Sequence, residues 1–469
     1  MAAPASTSAN RQIARAAGTV MLAFALSQVL GLVRWILMSQ RFGTGVEADA
    51  FNTARQLSDI LFNLVAGGAL ASAFIPTFTG FLSKEDRPGA WRLASAVANL
   101  VALILTVLAL LSALFAPWIV RYILAPHFPP AEQALTVALM RIVLPSAVIF
   151  GISGLMMGVL NAHQNFLFPA LASSMYWLGM IFGILVLSPS IGIYGPAWGA
   201  VLGALLHLLI QLPSLLRLPA REYVATLGRR VAAVKEVIRL MGPRLFGVAV
   251  VQLNFLVNVN LASGMEPGSV TAIGQAFSIM TMPLFVVANA IATASFPTFS
   301  DQAARGQLGE MRASLASTLR GVVLLAVPAS VGLILLREPL VSFLFRGGEF
   351  GQRSTDMVAW ALLWYAAGLL GHSVIEVVYR AFYSLHDTKT PVLVGASAMG
   401  LNVFLSLGFA ALFRSLGWMP HGGLALANSL ATALEMAAAL VLLRRRLNGL
   451  GGDQLATGLA QAAAGSLAM

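Results

Sequence analysis

The sequence contains no cysteine. That excludes disulfides, thiolate metal sites and a cysteine nucleophile. Charge is also scarce: 10% of the 469 residues are charged and 58% are hydrophobic, a balance no soluble globular class shows. Acids are scarcer than bases, 18 against 29, giving a formal net charge of +11. Such an excess can signal nucleic acid, but here the Lys and Arg stand in short connectors between apolar runs, where they set topology and meet anionic lipid. We therefore expect no nucleic-acid partner. Compact acid sets are missing as well. Glu47 and Asp49 form a close pair, in a segment read as an outside loop without a catalytic partner in sequence reach. A membrane glycosyltransferase acting on polyprenyl-linked sugars would need paired acids or a catalytic histidine set. The reading is no enzyme, no cofactor and no metal.

What remains is long apolar runs, and these define an all-α polytopic membrane protein rather than a barrel. Windows of about 19 residues place spans near 18–40, 55–80, 92–119, 135–160, 167–188 and 194–216, and again near 241–262, 270–298, 317–336, 356–383, 391–413 and 422–443. Residues 1–17 are polar and carry Arg11 and Arg15. The apolar run after them is too long for the core of a cleaved signal peptide, so the first helix reads as retained. With residues 1–17 in the cytoplasm, the inside connectors hold twenty Lys and Arg. The outside holds six, Arg41, Arg121, Arg337, Arg346, Arg353 and Arg414. That asymmetry puts both termini inside.

The two sets of six repeat. AFIPTFT answers ASFPTFS, aligning Pro76 with Pro297, and VLNAHQNFLFPAL answers FYSLHDTKTPVLV, aligning Pro169 with Pro391. An even number of spans per repeat makes the halves parallel, and transporters so built bind substrate between them. The expected organisation is an N-lobe over 18–217, a cytoplasmic linker over 218–240 and a C-lobe over 241–446 around a central cavity, with 447–469 as the start of a truncated thirteenth span.

Charges inside spans are expensive and functional by default. Arg34, Arg55 and Asp59 lie in the first two spans, so Arg34 and Arg55 should face a watery or protein-lined interior. Arg55 and Asp59 stand four apart and share a helix face, which also allows a structural pair. Arg141 lies near a span end and can snorkel. His372, Glu376 and Arg380 form a one-sided stripe in span ten, readable as an internal ion pair or as a proton site. Asn254 and Asn258 share a face of span seven, with Asn260 nearby, and helix-to-helix hydrogen bonding is the ordinary use of such amides. Gly67, Gly68, Ala69, Ala71 and Ser72 permit close helix packing. Pro145, Pro283 and Pro328 should kink their spans.

The stretches SQVLGLVR, ADAF, GALASAFIPTF, GVLNAHQNFLFPA, GSVTAI, FPTFS, LFRGGEFGQRST and YRAFYSLHDTKTP, taken in series over residues 27 to 391, resemble the MurJ (MviN) lipid II flippase family of the multidrug/oligosaccharidyl-lipid/polysaccharide exporter superfamily. The resemblance implies alternating-access transport of an undecaprenyl-diphosphate-linked peptidoglycan precursor to the outer leaflet, in support of cell-wall synthesis and cell shape. It implies a monomer in the bacterial inner membrane, with the glycolipid and the bilayer as its partners. The nearest alternatives are a flippase for another polyprenyl-linked oligosaccharide and a cation-coupled multidrug exporter of the same superfamily. A pseudo-transporter that has lost function is a further one. Diphosphate suits guanidinium in a dry cavity.

Of the family's cavity cations the resemblance keeps only Arg34 in place, with Arg55 as a replacement from the second span; together with the residue reading above, substrate contacts are expected at Ser27, Arg34, Arg55, Asp59, Asn63 and Ser278, and ion coupling at His372, Glu376, Asn258 and Asn402. The departures are specific. Trp35 stands where the family has Asp; Phe62 and Asn63 replace paired arginines; Gly67 replaces an acid; and Ser278 falls near a cavity arginine. Neutral Asn258 or Asn260 and Ser406 fall near acidic members of a sodium site. The family also continues into two further spans associated with a groove for the lipid tail.

Overall fold

The computed structural model describes residues 5–65, 68–219, 222–228, 231–450, 461–462 and 465. Helices α1 (Ala5–Phe42), α2 (Val46–Val65), α3 (Gly68–Ser83), α4 (Arg87–Leu114) and α5 (Ala116–Ile119) are followed by a wide π-helical turn over Val120–Leu124. Then come α6 (Pro130–Ala162) and α7 (Leu167–Phe182), a second π-helical turn over Gly183–Leu187, α8 (Ser188–Ile191), α9 (Tyr194–Leu209) and α10 (Leu212–Leu216). The second half has α11 (Ala232–Ala262), α12 (Ser269–Pro283), a π-helical turn over Leu284–Asn289, α13 (Ala290–Ala304), α14 (Leu308–Leu335) and α15 (Arg337–Phe345). It ends with α16 (Gln352–Ala367), α17 (Leu369–Ser384), α18 (Lys389–Ser415) and α19 (His421–Leu447).

Among the described residues, eight helical stretches are long and apolar enough to cross a bilayer, and α16 with α17 makes a ninth bent by 44°. The chain is a multi-pass membrane protein. Two expectations need correction. The helix that carries the second span begins at Val46 rather than near 55. Glu47 and Asp49 therefore stand in the first turn of α2 rather than in a loop, where the free N–H groups of a helix start favour acids. Asp49 is almost wholly buried.

The chain divides into two compact units, Met1–Gln252 and Leu253–Met469. In the first, α2, α4 and α9 pack on α6, and α7 packs between α1 and α9. In the second, α18 and α17 pack on α19, and α12 and α14 pack on α16. Helix boundaries recur along the chain. α4 begins at Arg87 and α14 at Leu308, and both run 28 residues. α6 begins at Pro130 and α16 at Gln352; α7 begins at Leu167 and α18 at Lys389. Each of these pairs is separated by nearly the same length of chain as Pro76 from Pro297. The non-glycine residues Gln164 (φ 58°) and His386 (φ 57°) share left-handed backbone at that same separation.

Both motif-bearing turns are held by side chains. Asp387 accepts the Thr390 amide at 3.0 Å and the Thr390 hydroxyl at 2.8 Å, and pairs with Arg446 at 3.0 Å. The Thr390 amide bond first, then its hydroxyl and the guanidinium, hold this carboxyl below the usual range, which stabilises the turn above ordinary carboxylate pH values and is lost in acid. In the first half the chain instead closes with His163 Nδ1 against the Val159 carbonyl at 2.9 Å. The basic connector is also anchored. Asn99 of α4 donates to the carbonyls of Thr226 (2.9 Å) and Val224 (3.4 Å) and accepts from Tyr223 (2.7 Å), while Ser95 accepts the Val224 amide at 3.1 Å.

Candidate functional site

The first unit gathers its polar interior around Arg34. The side chain is 1% exposed, and burial of a guanidinium at mid-helix depth costs on the order of 3 kcal/mol or more. Two indoles offset part of that cost. The guanidinium carbon lies 4.0 Å from the Trp35 ring centroid and 5.1 Å from that of Trp177, on α7. Among the described residues, Arg34 Nε and Nη1 have no hydrogen-bond partner, and no carboxylate comes within ion-pair distance of this guanidinium.

The nearby acid serves another cation. Arg55 Nε lies 3.3 Å from Asp59 Oδ2, one helical turn along α2, with Tyr176 close beside the pair. Arg55 and Asp59 side chains are 21% and 44% exposed. A charged pair exposed at mid-span depth requires water or protein rather than lipid beside it, so this side of the first unit opens on a polar space. Ser27 is buried about two turns before Arg34 on α1, and Asn63 is half-buried one turn after Asp59. Rings extend the cluster: Trp177 to Tyr176 at 4.9 Å, Tyr176 to Phe150 at 5.0 Å, and Phe150 to Phe62 at 5.3 Å. Behind Phe150 lies a buried polar set, with His207 Nδ1 2.6 Å from the Ser153 hydroxyl and Gln211 donating to that hydroxyl at 2.8 Å.

Most other candidates lie in the second unit and are described there by themselves. Glu376 and Arg380 pair at 2.6 Å on α17, and Arg380 reaches Asn289 (3.3 Å) and Thr293 (3.2 Å). His372 Nε2 meets Asn428 at 3.2 Å and Thr432 at 3.4 Å, both on α19. Three amides form a chain: Asn258 donates to Asn254 at 3.1 Å, and Asn254 donates to Asn402 at 2.8 Å. At its ends Asn258 Oδ1, Asn402 Nδ2 and Ser406 Oγ are buried without partners among the described residues. Ser278 is occupied within its own helix, donating to the Gly274 carbonyl at 2.8 Å. Arg141 is exposed and donates to the Ala113 carbonyl at 3.1 Å. Gly67 lies outside the described residues, as do the side chains at 68 to 72.

Sequence reasoning missed Trp177, Tyr176 and His207, whose partners lie far away in the chain. Trp35 was noted only as a departure. It also passed over the Tyr379 hydroxyl, which donates to Glu435.

Known proteins share this architecture. A family model described as "Lipid II flippase MurJ" matches residues 38–469. The lipid II flippase MurJ of Burkholderia cenocepacia is 31% identical over 430 residues, covering 90% of this chain and 82% of the relative. The probable lipid II flippase MurJ of Vibrio cholerae is 30% identical, covering 88% and 79%. Among solved structures, an inward closed lipid II flippase MurJ superposes with TM-score 0.82 at 24% identity, covering 94% of this chain and 90% of that one. An inward-facing multidrug resistance transporter of the MATE family reaches 0.73 at 13%, covering 90% and 94%. By family model and by sequence, the chain belongs to the MurJ family of lipid II flippases.

Proposed function

We propose that this protein flips lipid II across the cytoplasmic membrane, with Arg34 as the residue that engages the diphosphate. The observation that carries this is the buried guanidinium with two unpartnered nitrogens. A cation kept in a membrane span without a carboxylate is costly unless an anion completes it. Arg55 stands close enough for its charge to act on Arg34, and Asn63 and Ser27 supply neutral polar groups. A flipping assay in cells depleted of their own flippase tests the reading: this chain should restore both lipid II accessibility at the outer face and growth. Growth without flipping, or neither, refutes it.

The transport mechanism is alternating access between two six-span lobes, 18–217 and 241–446, joined by the cytoplasmic connector 218–240. Recurrence of helix starts at one nearly constant separation supports parallel repeats. The twenty-to-six bias of Lys and Arg supports a cytoplasmic N-terminus. Because the chain has no cysteine, single cysteines read topology cleanly: one introduced at Glu349 should react with an impermeant maleimide from outside, and one at Ala225 should not. The working unit is a monomer, which mass measurement in nanodiscs checks.

Coupling rests on Glu376 and His372. Their partners sit on different helices, α13 and the preceding π-helical turn for Arg380 and α19 for His372, so relative motion of these helices would change the environment of both groups. A group whose environment differs between states links protons or membrane potential to the transition. The neutral set Asn254, Asn258, Asn402 and Ser406 offers sodium no carboxylate, unlike the hard anionic oxygen sets sodium and similar cations prefer. In proteoliposomes, Glu376→Gln should lower transport driven by a proton or voltage gradient by about tenfold and leave an imposed sodium gradient without effect in either protein. Sodium-driven transport that ignores the substitution would refute this coupling scheme.

A further inference from the structure

We infer that Trp35 and Trp177 are positioning residues that hold Arg34 as an uncompensated cation, so that its full charge is presented to the diphosphate. This rests on the reading of Arg34 as the diphosphate contact. A guanidinium has two apolar faces and a rim of in-plane donors. Rings stacked on the faces favour the cation through their quadrupoles and occupy none of its donors. A carboxylate at the rim would occupy two donors and cancel the charge.

The structure separates these two arrangements within one cluster. Asp59 is turned to Arg55 at 3.3 Å, while Arg34 meets rings at 4.0 and 5.1 Å and keeps Nε and Nη1 free. The two arginines then differ in kind: Arg55 is a compensated cation with an exposed side, and Arg34 a bare one. Gly31, one turn before Arg34 on α1, lies beside Trp177: a Cβ added there would make ordinary contact with the indole Cε2 and Nε1 at 3.4 Å, and side chains larger than alanine would meet the ring. Trp35 comes from the neighbouring position on α1. Trp177 is supported from the other side by its ring contact with Tyr176. The ligand class this selects is a compact polyanion such as a diphosphate ester, since a neutral sugar cannot balance the bare charge and a zwitterion brings its own cation.

The test is binding by purified protein in nanodiscs, titrated separately with lipid II and with undecaprenyl diphosphate, which shares the diphosphate and lacks the sugars. Trp177→Leu and Trp35→Leu keep an apolar side chain of smaller volume and remove the quadrupole; Trp177→Phe and Trp35→Phe keep a ring face. The leucine variants should weaken binding of both lipids about tenfold, with the phenylalanine variants within about threefold of the parent. Melting temperatures measured alongside should place all four variants as folded. Leucine variants that bind like the parent, or phenylalanine variants that fail as badly as leucine, overturn the inference. A parent that binds undecaprenyl diphosphate but not lipid II overturns the cargo alone, and the same leucine-to-phenylalanine comparison on that ligand still decides the role of the rings. A parent that binds neither overturns the transport reading, and the inference falls with it.

Discussion

Replacing Arg34 by methionine is expected to abolish lipid II transport while leaving the protein as stable as the parent or more so. The two effects have opposite signs for one reason. In the resting protein the guanidinium is 1% exposed and has two nitrogens without partners among the described residues, so it is a burden on the fold that its two indole neighbours relieve in part. Methionine fills similar space, keeps contact with Trp35 and Trp177, and removes the desolvated charge; replacing buried charge by a well-packed apolar side chain is often neutral or stabilising. For the ligand the balance reverses. Two charge-assisted hydrogen bonds of about 1.5 kcal/mol each amount to roughly a hundredfold in affinity, and the diphosphate would then meet an apolar pocket beside the compensated Arg55. Transport in cells and melting in detergent, measured on the same variant, check the pair of signs. A variant that loses stability as well as transport would make Arg34 a structural cation. Arg34→Lys adds a finer reading: it keeps the charge, loses the planar faces, and should fall between parent and methionine.

Arg34 was legible from sequence because a charge inside an apolar run is conspicuous, and the physical cost that makes it conspicuous is the same one that the proposed diphosphate contact answers. Its setting was not legible. Trp177 is remote from Arg34 along the chain and reaches it only because α7 packs on α1, a long-range contact that no local spacing encodes. The start of α2 was misplaced for a different reason. Glu47, Asp49, Asn52, Arg55, Asp59 and Asn63 make this helix amphipathic, and a window that averages hydropathy registers only its apolar end. The recurrence of helix starts has a trace in the matching of Pro76 with Pro297 and of Pro169 with Pro391. The break at Gly368 between α16 and α17 was not, since the corresponding helix α6 runs unbroken through Pro145. The basic connector was readable only as a cytoplasmic linker over 218–240. Its backbone polar groups nonetheless needed partners, and Asn99 and Ser95 of α4 provide them.

The second large effect is expected from a single added methyl group. Gly179 and Gly183, at the end of α7, face Gly195, Gly199 and Gly203 of α9, and backbone meets backbone between them. A Cβ on Gly183 would lie 2.7 Å from the Gly199 Cα, and one on Gly199 would lie 2.8 Å from the Gly179 carbonyl oxygen. Neither obstacle is a side chain that can swing aside, so Gly199→Ala must force the two helices apart. In lipid there is little hydrophobic drive to hold helices together, and close approach at small residues supplies the dispersion contacts that do. Overpacking of this kind costs about 1–3 kcal/mol or more, and the melting temperature should fall by several degrees. Transport should fall too, because α7 carries Tyr176 and Trp177 to Arg34 and a displaced α7 takes both rings with it. Gly203 sharpens the link, since a methyl there would press directly on the Tyr176 carbonyl and ring. The control is Gly400→Ala or Gly408→Ala on α18, where nothing stands within 4 Å of the added Cβ. There the substitution should be neutral or stabilise by up to about 1 kcal/mol, through helix propensity and a more restricted unfolded chain. Thermal melting of these variants beside the parent decides the matter: if Gly199→Ala melts with the Gly400→Ala control, the α7 to α9 approach is looser than these distances require, and Trp177 is not held in place by it.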